Sequence, residues 1–334
     1  MLTLQNAFTE TEIAAAINII PNAYGRLQEL NLFPVRGVTS PDVAVEEQNG
    51  SLALIPTEAI GGPGRVGSEG KRRVRSFRVP RLVYDEHVNP QEVNGIRAFG
   101  GNQRMNMAGL LNQKLATARG KHDITLEHLR MGALKGIILD ADGTTPVYNL
   151  YTEFGITQKT VDFVLGTAGT EVRDKCHEVL RHVEDNLMGE RMSNVHALVS
   201  PEFFDKLVKH PKVKEAFANY QEAANRLGGD MRRGFTFGGI TFEEYRAVAT
   251  GAAGSPVRFI AANDGHAFPL GTLNTFATMV APADFNETVN TLGQLYYAKV
   301  QPAQMDRGYN VHTQSNPLPM CMRPGVLVRI FSSN

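Results

Sequence analysis

The chain has 334 residues, with 34 basic and 34 acidic side chains and a formal net charge of zero. Hydrophobic residues make up 42%, charged residues 20% and aromatics 8%, ordinary globular values that exclude a disordered chain, a collagen-like repeat and a disulfide scaffold. Zero net charge argues against a surface that tracks nucleic acid throughout.

The N-terminal segment predicts a short helix: Thr9 and Glu12 form a capping box, Ile13, Ala14, Ile17 and Ile20 give an apolar face, and Pro21 stops it. Residues 22–50 then read as extended and turn-rich. About fifty residues with one small helix cannot fold alone and must lie against other structure, in this chain or in another subunit. A long hairpin follows, with residues 51–57 as one strand and Arg73, Arg75, Phe77 and Val79 as alternating positions of its partner. Between them, residues 61–71 hold five glycines and Pro63, which predicts a flexible tip longer than an ordinary hairpin loop. Arg65, Lys71, Arg72, Arg73, Arg75, Arg78 and Arg81 stand against Glu69 alone, so the hairpin calls for an acidic partner.

Asn89 and Pro90 open a helical region as N-cap and first helical residue, and Gly100 and Gly101 interrupt it. From about Arg104 an apolar stripe runs through Leu111, Leu115, Leu126, Leu129, Ala133 and Ile137. If Gly120 does not split it, this is one helix of about 50 Å at 1.5 Å per residue, which suggests an elongated subunit. Residues 140–143 form a turn and residues 147–154 a strand. Val172, Cys176, Val179 and Val183 mark an amphipathic helix ending near Gly189; residues 195–199 are a strand; Ser200 and Pro201 open another helix. A hairpin over 235–245 turns at Gly238 and Gly239, and strands follow at 257–261 and 275–280. The C-terminal segment from Tyr296 is extended, its prolines excluding helix.

The two cysteines, Cys176 and Cys321, read as unpaired thiols of a reducing compartment. The N-terminal residues lack the basic and apolar regions of an export signal, and no run approaches the roughly 18 apolar residues of a membrane span. The expectation is a soluble chain made in the cytoplasm.

Candidate chemistry is sparse. The glycine-rich tip fails the phosphate-loop template, having Arg65 where glycine and Arg72 where serine or threonine is needed. His122, Asp123, Glu127 and His128 lack the i, i+4 histidine pair of a zinc helix and read as a solvated polar face. His177 and His182 are no better spaced. Asp140 and Asp142 before Gly143 resemble a calcium loop, but Tyr151 stands where its closing glutamate belongs. No nucleophile signature occurs. The sequence therefore predicts no catalytic residue, no metal and no cofactor. What remains is an arm and a hairpin that cannot bury their own surface, hence a subunit that interlocks with copies of itself.

The chain resembles the lambda-type major capsid protein E family of tailed phages, which has the Hong Kong 97-type fold. The resemblance is carried by residues 280–285 (VAPADF), 287–293 (ETVNTLG), 296–299 (YYAK), 314–319 (QSNPLP) and Arg323-Pro324, and more weakly by Leu32-Phe33, residues 75–77, Pro80, residues 95–100, residues 134–136 and Asp142-Gly143. It implies an α+β capsid fold laid out as an N-terminal arm over 1–50, an E-loop hairpin over 51–85, a peripheral domain with a long spine helix over 86–160, an axial domain over 161–280, and C-terminal strands over 281–334 that return to the peripheral domain. It implies hexamers and pentamers closing into an icosahedral shell around packaged double-stranded DNA, without sequence-specific binding and without a membrane. Arg65, Lys71, Arg72, Arg73 and Arg75 of the E-loop become candidate intersubunit contacts. A separate scaffolding protein, a portal and a decoration protein become candidate partners, the first because no long helical segment precedes the arm in this sequence. Lysine–asparagine cross-linking is not carried over, since no asparagine partner for Lys71 can be chosen. Two other readings remain open: a nucleic-acid-binding protein that uses the basic hairpin, with steep salt dependence, and a soluble α+β enzyme with a discrete pocket.

Overall fold

A computed structural model describes residues 25–48, 72–94, 106–214, 216, 234–251 and 254–334. The expected helix after Thr9, the strand at 51–57, the glycine-rich tip and the Gly100–Gly101 interruption lie outside these residues.

In chain order the elements are α1 (Arg26–Glu29), β1 (Val35–Gly37), β2 (Asp42–Gln48), β3 (Arg72–Arg78), β4 (Leu82–Val88), a 3₁₀ turn at Pro90–Glu92, α2 (Met107–Lys135), β5 (Ile137–Leu139), β6 (Pro146–Asn149), α3 (Leu150–Phe154) and β7 (Lys159–Asp162). Then come α4 (Val172–Asn186), β8 (Asn194–Val199), α5 (Pro201–Lys209), β9 (Phe235–Phe237), β10 (Ile240–Glu244), β11 (Val248–Thr250), β12 (Pro256–Arg258), β13 (Asp264–Leu270), β14 (Phe276–Val280), β15 (Tyr297–Pro302), β16 (Tyr309–Ser315), β17 (Pro317–Cys321) and β18 (Val328–Phe331).

Helix α2 is continuous over 29 residues, a length of about 43 Å. Asn106 caps its start by accepting from the Gly109 amide at 2.6 Å. Gly136 ends it in the left-handed region at φ 76°. A Cβ there would also meet the Tyr151 ring at 2.4 Å, so conformation and packing both require glycine. Gly120, where the helix could have split, is an ordinary helical residue.

The helix grips two bodies. Its first half packs Leu110, Leu111 and Leu115 against Val88, Tyr296, Ala298 and Val311. Val88, Ala298 and Val311 belong to an antiparallel sheet ordered β15-β16-β4, and Tyr296 immediately precedes β15. Its second half joins the main core through Leu129, Met131, Ala133 and Leu134. That core surrounds a six-stranded sheet ordered β7-β18-β13-β8-β10-β9 and a three-stranded sheet ordered β1-β14-β17. Strand β17 carries Pro317 and Pro319 and lies at a sheet edge, where the missing N–H groups cost nothing.

Strand β3 pairs with β2, Asp42 standing opposite Arg78 and Val43 opposite Phe77; its expected pairing with residues 51–57 lies outside the described residues. Two readings are corrected. The expected strand over 147–154 stops at Asn149, whose side-chain Oδ1 accepts from the Tyr151 and Thr152 amides and starts α3 instead. Strand β13, unforeseen, lies between β8 and β18 in the large sheet.

Candidate functional site

The β2–β3 ribbon holds the described part of the basic hairpin. Arg65 and Lys71 lie outside the described residues, and Arg72 opens β3 opposite Gln48. Arg73 is exposed and stands opposite Glu47 in the register. Arg75 is turned toward the body, its guanidinium 5.0 Å from the centre of the Phe154 ring. The ribbon is fastened at Phe77, which is fully buried, meets Tyr148 edge-on at 5.4 Å and stacks on Phe154 at 6.1 Å. The Tyr148 hydroxyl donates to the Arg78 carbonyl at 2.9 Å and accepts from its amide at 2.8 Å. Farther on, Arg81 pairs with Asp284 at 2.6 Å. For Arg81 the acid expected from elsewhere is thus supplied by the chain itself, while the register sets Asp42 opposite Arg78 and Glu47 opposite Arg73.

The polar stretch of α2 is buried, contrary to the solvated face expected for it. His122 is 4% exposed and Glu127 1%. Each group meets a partner on another element. Tyr296 donates to Asp123, and the Arg119 guanidinium lies over the Tyr296 ring at 4.1 Å. His122 Nε2 meets Thr313 Oγ1 at 3.1 Å, and burial pushes this imidazole down to about 4. Glu127 accepts from the Leu27 amide and the Tyr245 hydroxyl, both at 2.9 Å, while burial raises its carboxyl. Arg130 donates to Gln28 at 2.6 Å. The neighbouring His128 contacts the Asp140 carbonyl at 3.2 Å.

Helix α1 is only four residues long and has no capping side chain of its own. Glu127 caps it from α2, Arg130 holds Gln28, and Leu27 plugs the core. Arg26 reaches Glu243 on β10, which also faces His196 at 3.0 Å. Burial tends to raise the Glu243 carboxyl, but the hydrogen bonds from His196 and Arg26 outweigh it and hold the group below the usual carboxylate range.

These groups join elements and are not gathered around a cleft. The Asp140–Asp142 stretch is a turn in which Asp142 accepts from the Thr144 and Thr145 amides and the Thr145 hydroxyl, and those bonds depress its carboxyl strongly. Among the described residues no group of three or more histidine, cysteine, aspartate or glutamate side chains is placed to hold a metal. Burial pushes Cys176 and Cys321 up to about 12, which makes them poor nucleophiles. No described helix is long and apolar enough to cross a membrane.

One open concavity is a groove of about 490 Å³ beside β2, lined by Phe154, Ile156, Met188, Met279 and Met322 among others. Its lining mixes apolar side chains with Arg36, Glu46, Asn186, Asn274 and Arg323. Sequence periodicity gives no sign of it, because its residues come from six separate segments.

Residues 9–332 match the sequence model of a family described as phage major capsid protein E. The major capsid protein of Pseudomonas phage KPP10 is 32% identical over 346 aligned positions, which cover 98% of this chain and 97% of that protein. The major capsid protein of Salmonella phage Felix O1 is 29% identical, covering 98% of this chain and 96% of that protein. Among solved structures, a capsid-protein candidate from a prophage of E. coli CFT073 superposes with a TM-score of 0.62 at 14% identity, over 98% of this chain and 99% of that one.

Proposed function

Because the chain belongs to the phage major capsid protein E family, we propose that its copies gather into hexamers and pentamers that close into an icosahedral shell around double-stranded DNA. The fold is of the Hong Kong 97 type, and the protein is a major capsid protein of a tailed phage, a structural component of the virion and not an enzyme. The proposal concerns how the copies are arranged and what they enclose.

The observation that carries it is the β2–β3 ribbon. It is fastened to the body at Phe77 and pairs with no third strand among the described residues. Two strands with little core between them are marginal alone, so the ribbon gains support by lying on a neighbour. In this reading Arg65, Lys71, Arg72 and Arg73 face the neighbouring copy, and Arg75 also steadies the ribbon through Phe154. Each such contact is worth about 0–1 kcal/mol if exposed, and the shell gains strength by repeating it on every copy.

In this reading the arm covers residues 1–50 and the E-loop hairpin residues 51–85, and the pairing of β2 with β3 supports a close association of the two. The β15-β16-β4 sheet, α2 and the C-terminal strands form a peripheral unit, and residues 161–280 supply most of an axial unit around the large sheet. A closed shell that is filled with DNA needs an entry vertex and a guide to its curvature, which are the roles of a portal and a separate scaffolding protein. A decoration protein would bind the outer face.

The test is electron microscopy of the protein co-expressed with its neighbouring genes, wild type against a variant lacking residues 62–70. Closed shells are expected from wild type and aberrant or scarce particles from the deletion. Normal shells at normal yield from the deletion would remove the structural role of the hairpin tip. Absence of any shell from wild type would remove the arrangement itself.

A further inference from the structure

We propose that His87 and His312 form a two-histidine site for a transition-metal dication of the Zn²⁺ class on the open face of the β15-β16-β4 sheet. The site lies within one chain and does not depend on how copies are arranged.

The register puts both rings on one face. In the antiparallel pairing of β4 with β16, His87 stands opposite Asn310 and His312 opposite Asp85. Side chains two apart on a strand share a face, so the four lie together with the histidines on a diagonal. Diagonal neighbours are about 7–8 Å apart at Cα. Two imidazoles that each hold a metal at about 2.0–2.1 Å span such a gap. Asp85, His87 and Asn310 are exposed and His312 is half-buried. All four line one open concavity of about 440 Å³. The other two residues of its lining are engaged on the α2 side: Glu86 pairs with Lys114 at 3.1 Å, and Val311 packs with Leu110 and Leu111.

The hydrogen bonds select the tautomer that a metal needs. His312 Nδ1 lies 2.5 Å from Asp85 Oδ1, and His87 Nδ1 lies 2.9 Å from Asn310 Oδ1. A carboxylate oxygen and an amide oxygen only accept, so each Nδ1 carries the proton and each Nε2 keeps its lone pair. Ligating histidines are oriented in this way, the far N–H donated to a carboxylate or carbonyl oxygen. On His312 the lone pair is also unmet, because Nε2 is buried without a protein partner, a state that costs about 1–3 kcal/mol. Ligation draws the two rings together over the concavity and meets that demand.

The surrounding charge suits a cation. Lys114 is engaged by Glu86 and Glu92. Lys299, opposite His312 on β15, is held by Glu287 at 2.6 Å and lies over the Phe285 ring. Asp85 meets His312 and pairs with no lysine or arginine among the described residues, so its charge balances a dication bound through that ring. Imidazole nitrogen favours Zn²⁺, Cu²⁺ and Ni²⁺, whereas Mg²⁺ and Ca²⁺ take oxygen ligands. Asp85 and Asn310 orient the rings and are not ligands themselves, so the protein supplies two ligands and water fills the remaining positions. The ion ties β4, the strand that follows the ribbon, to β16.

Calorimetric titration of the full-length protein with ZnCl₂ at neutral pH tests the site, with MgCl₂ as the comparison. One zinc per chain is expected, with no response to Mg²⁺. This binding should be lost in His87→Gln and in His312→Gln, and weakened about tenfold in Asp85→Ala. Zinc should raise the Tm of wild type and leave that of His87→Gln/His312→Gln unchanged. X-ray absorption at the zinc edge of the wild-type complex should show two imidazole nitrogens, a readout that needs no variant to fold. Absence of zinc binding by wild type overturns the site. Binding that persists in the double variant, or an edge spectrum of oxygen ligands alone, places the metal elsewhere and overturns it as well.

Discussion

Arg26 grips Glu243 across 217 residues of sequence, Nε donating to one carboxylate oxygen at 2.6 Å and a terminal nitrogen to the other at 3.1 Å. The pair ties α1 to β10 in the large sheet. Removing the guanidinium leaves a buried carboxylate with only His196 beside it. Arg26→Ala is therefore expected to cost about 2–3 kcal/mol. The further loss on adding Glu243→Gln should be small, and a double-mutant cycle in urea measures the coupling. The sign with pH follows from the lowered Glu243 carboxyl. Its stabilisation is present above the ordinary carboxylate pKa and fades as pH falls through the depressed one, so wild type and Glu243→Gln should converge in stability in strong acid.

His122 is predicted to make the fold acid-sensitive over a different window. Its folded value of about 4 lies below the usual 6.5. Above 6.5 the ring is neutral in both folded and unfolded chains and contributes nothing. Between 6.5 and 4 the unfolded chain takes up the proton first, and stability falls by at most about 3 kcal/mol. His122→Gln keeps a partner for Thr313 and should flatten the dependence of Tm on pH across this window. An unchanged slope would show that the ring is not buried as described.

Gly120 and Gly136 should respond oppositely to the same change. A Cβ on Gly120 meets nothing within 4 Å, whereas one on Gly136 meets Tyr151 in a left-handed backbone. Gly120→Ala is expected to stabilise by about 0.5–1 kcal/mol. Gly136→Ala should destabilise by more than that, and thermal denaturation of the two variants checks both signs.

Tyr148→Phe removes two hydrogen bonds to the Arg78 backbone and leaves the ring on Phe77. A loss of about 1 kcal/mol is expected. Faster hydrogen exchange should appear at the Arg78 amide, without a matching change in α2.

The long helix, the capped α5 and the turn at Asp142 are legible in the sequence, because each rests on a local signal: periodicity, a Ser-Pro start, two aspartates before Gly143. Strand β13 was hidden by Gly265 and Pro269. Gly265 is required because a Cβ would stand 2.6 Å from Val199 and 3.0 Å from Ile330. Pro269 is tolerated because β18 pairs only with Asp264–Ala267 and has ended before it. The helix α3 was read as strand because its β-branched and aromatic residues outweighed the Asn149 cap and Gly155, and tertiary packing decided otherwise. The polar face of α2 was misread for a similar reason. Spacing places charged residues on a helix but does not reveal that Tyr296, Thr313, Leu27 and Tyr245, all distant in sequence, come to meet them. The arginines of the hairpin are visible in the sequence, but the pairing of β3 with β2, a segment that reads as part of the arm, is not.

Helix α2 is clamped by a different body at each end and studded along its middle with charged groups that each fit one counterpart. Such a beam cannot roll about its long axis: a turn by one residue, about 100°, would drive Asp123 and Glu127 among aliphatic side chains and strand their counterparts. Load arriving at one end must then travel to the other as tilt or push of the whole rod, so any change of curvature in the wall this subunit builds has to be absorbed at the joints between rods.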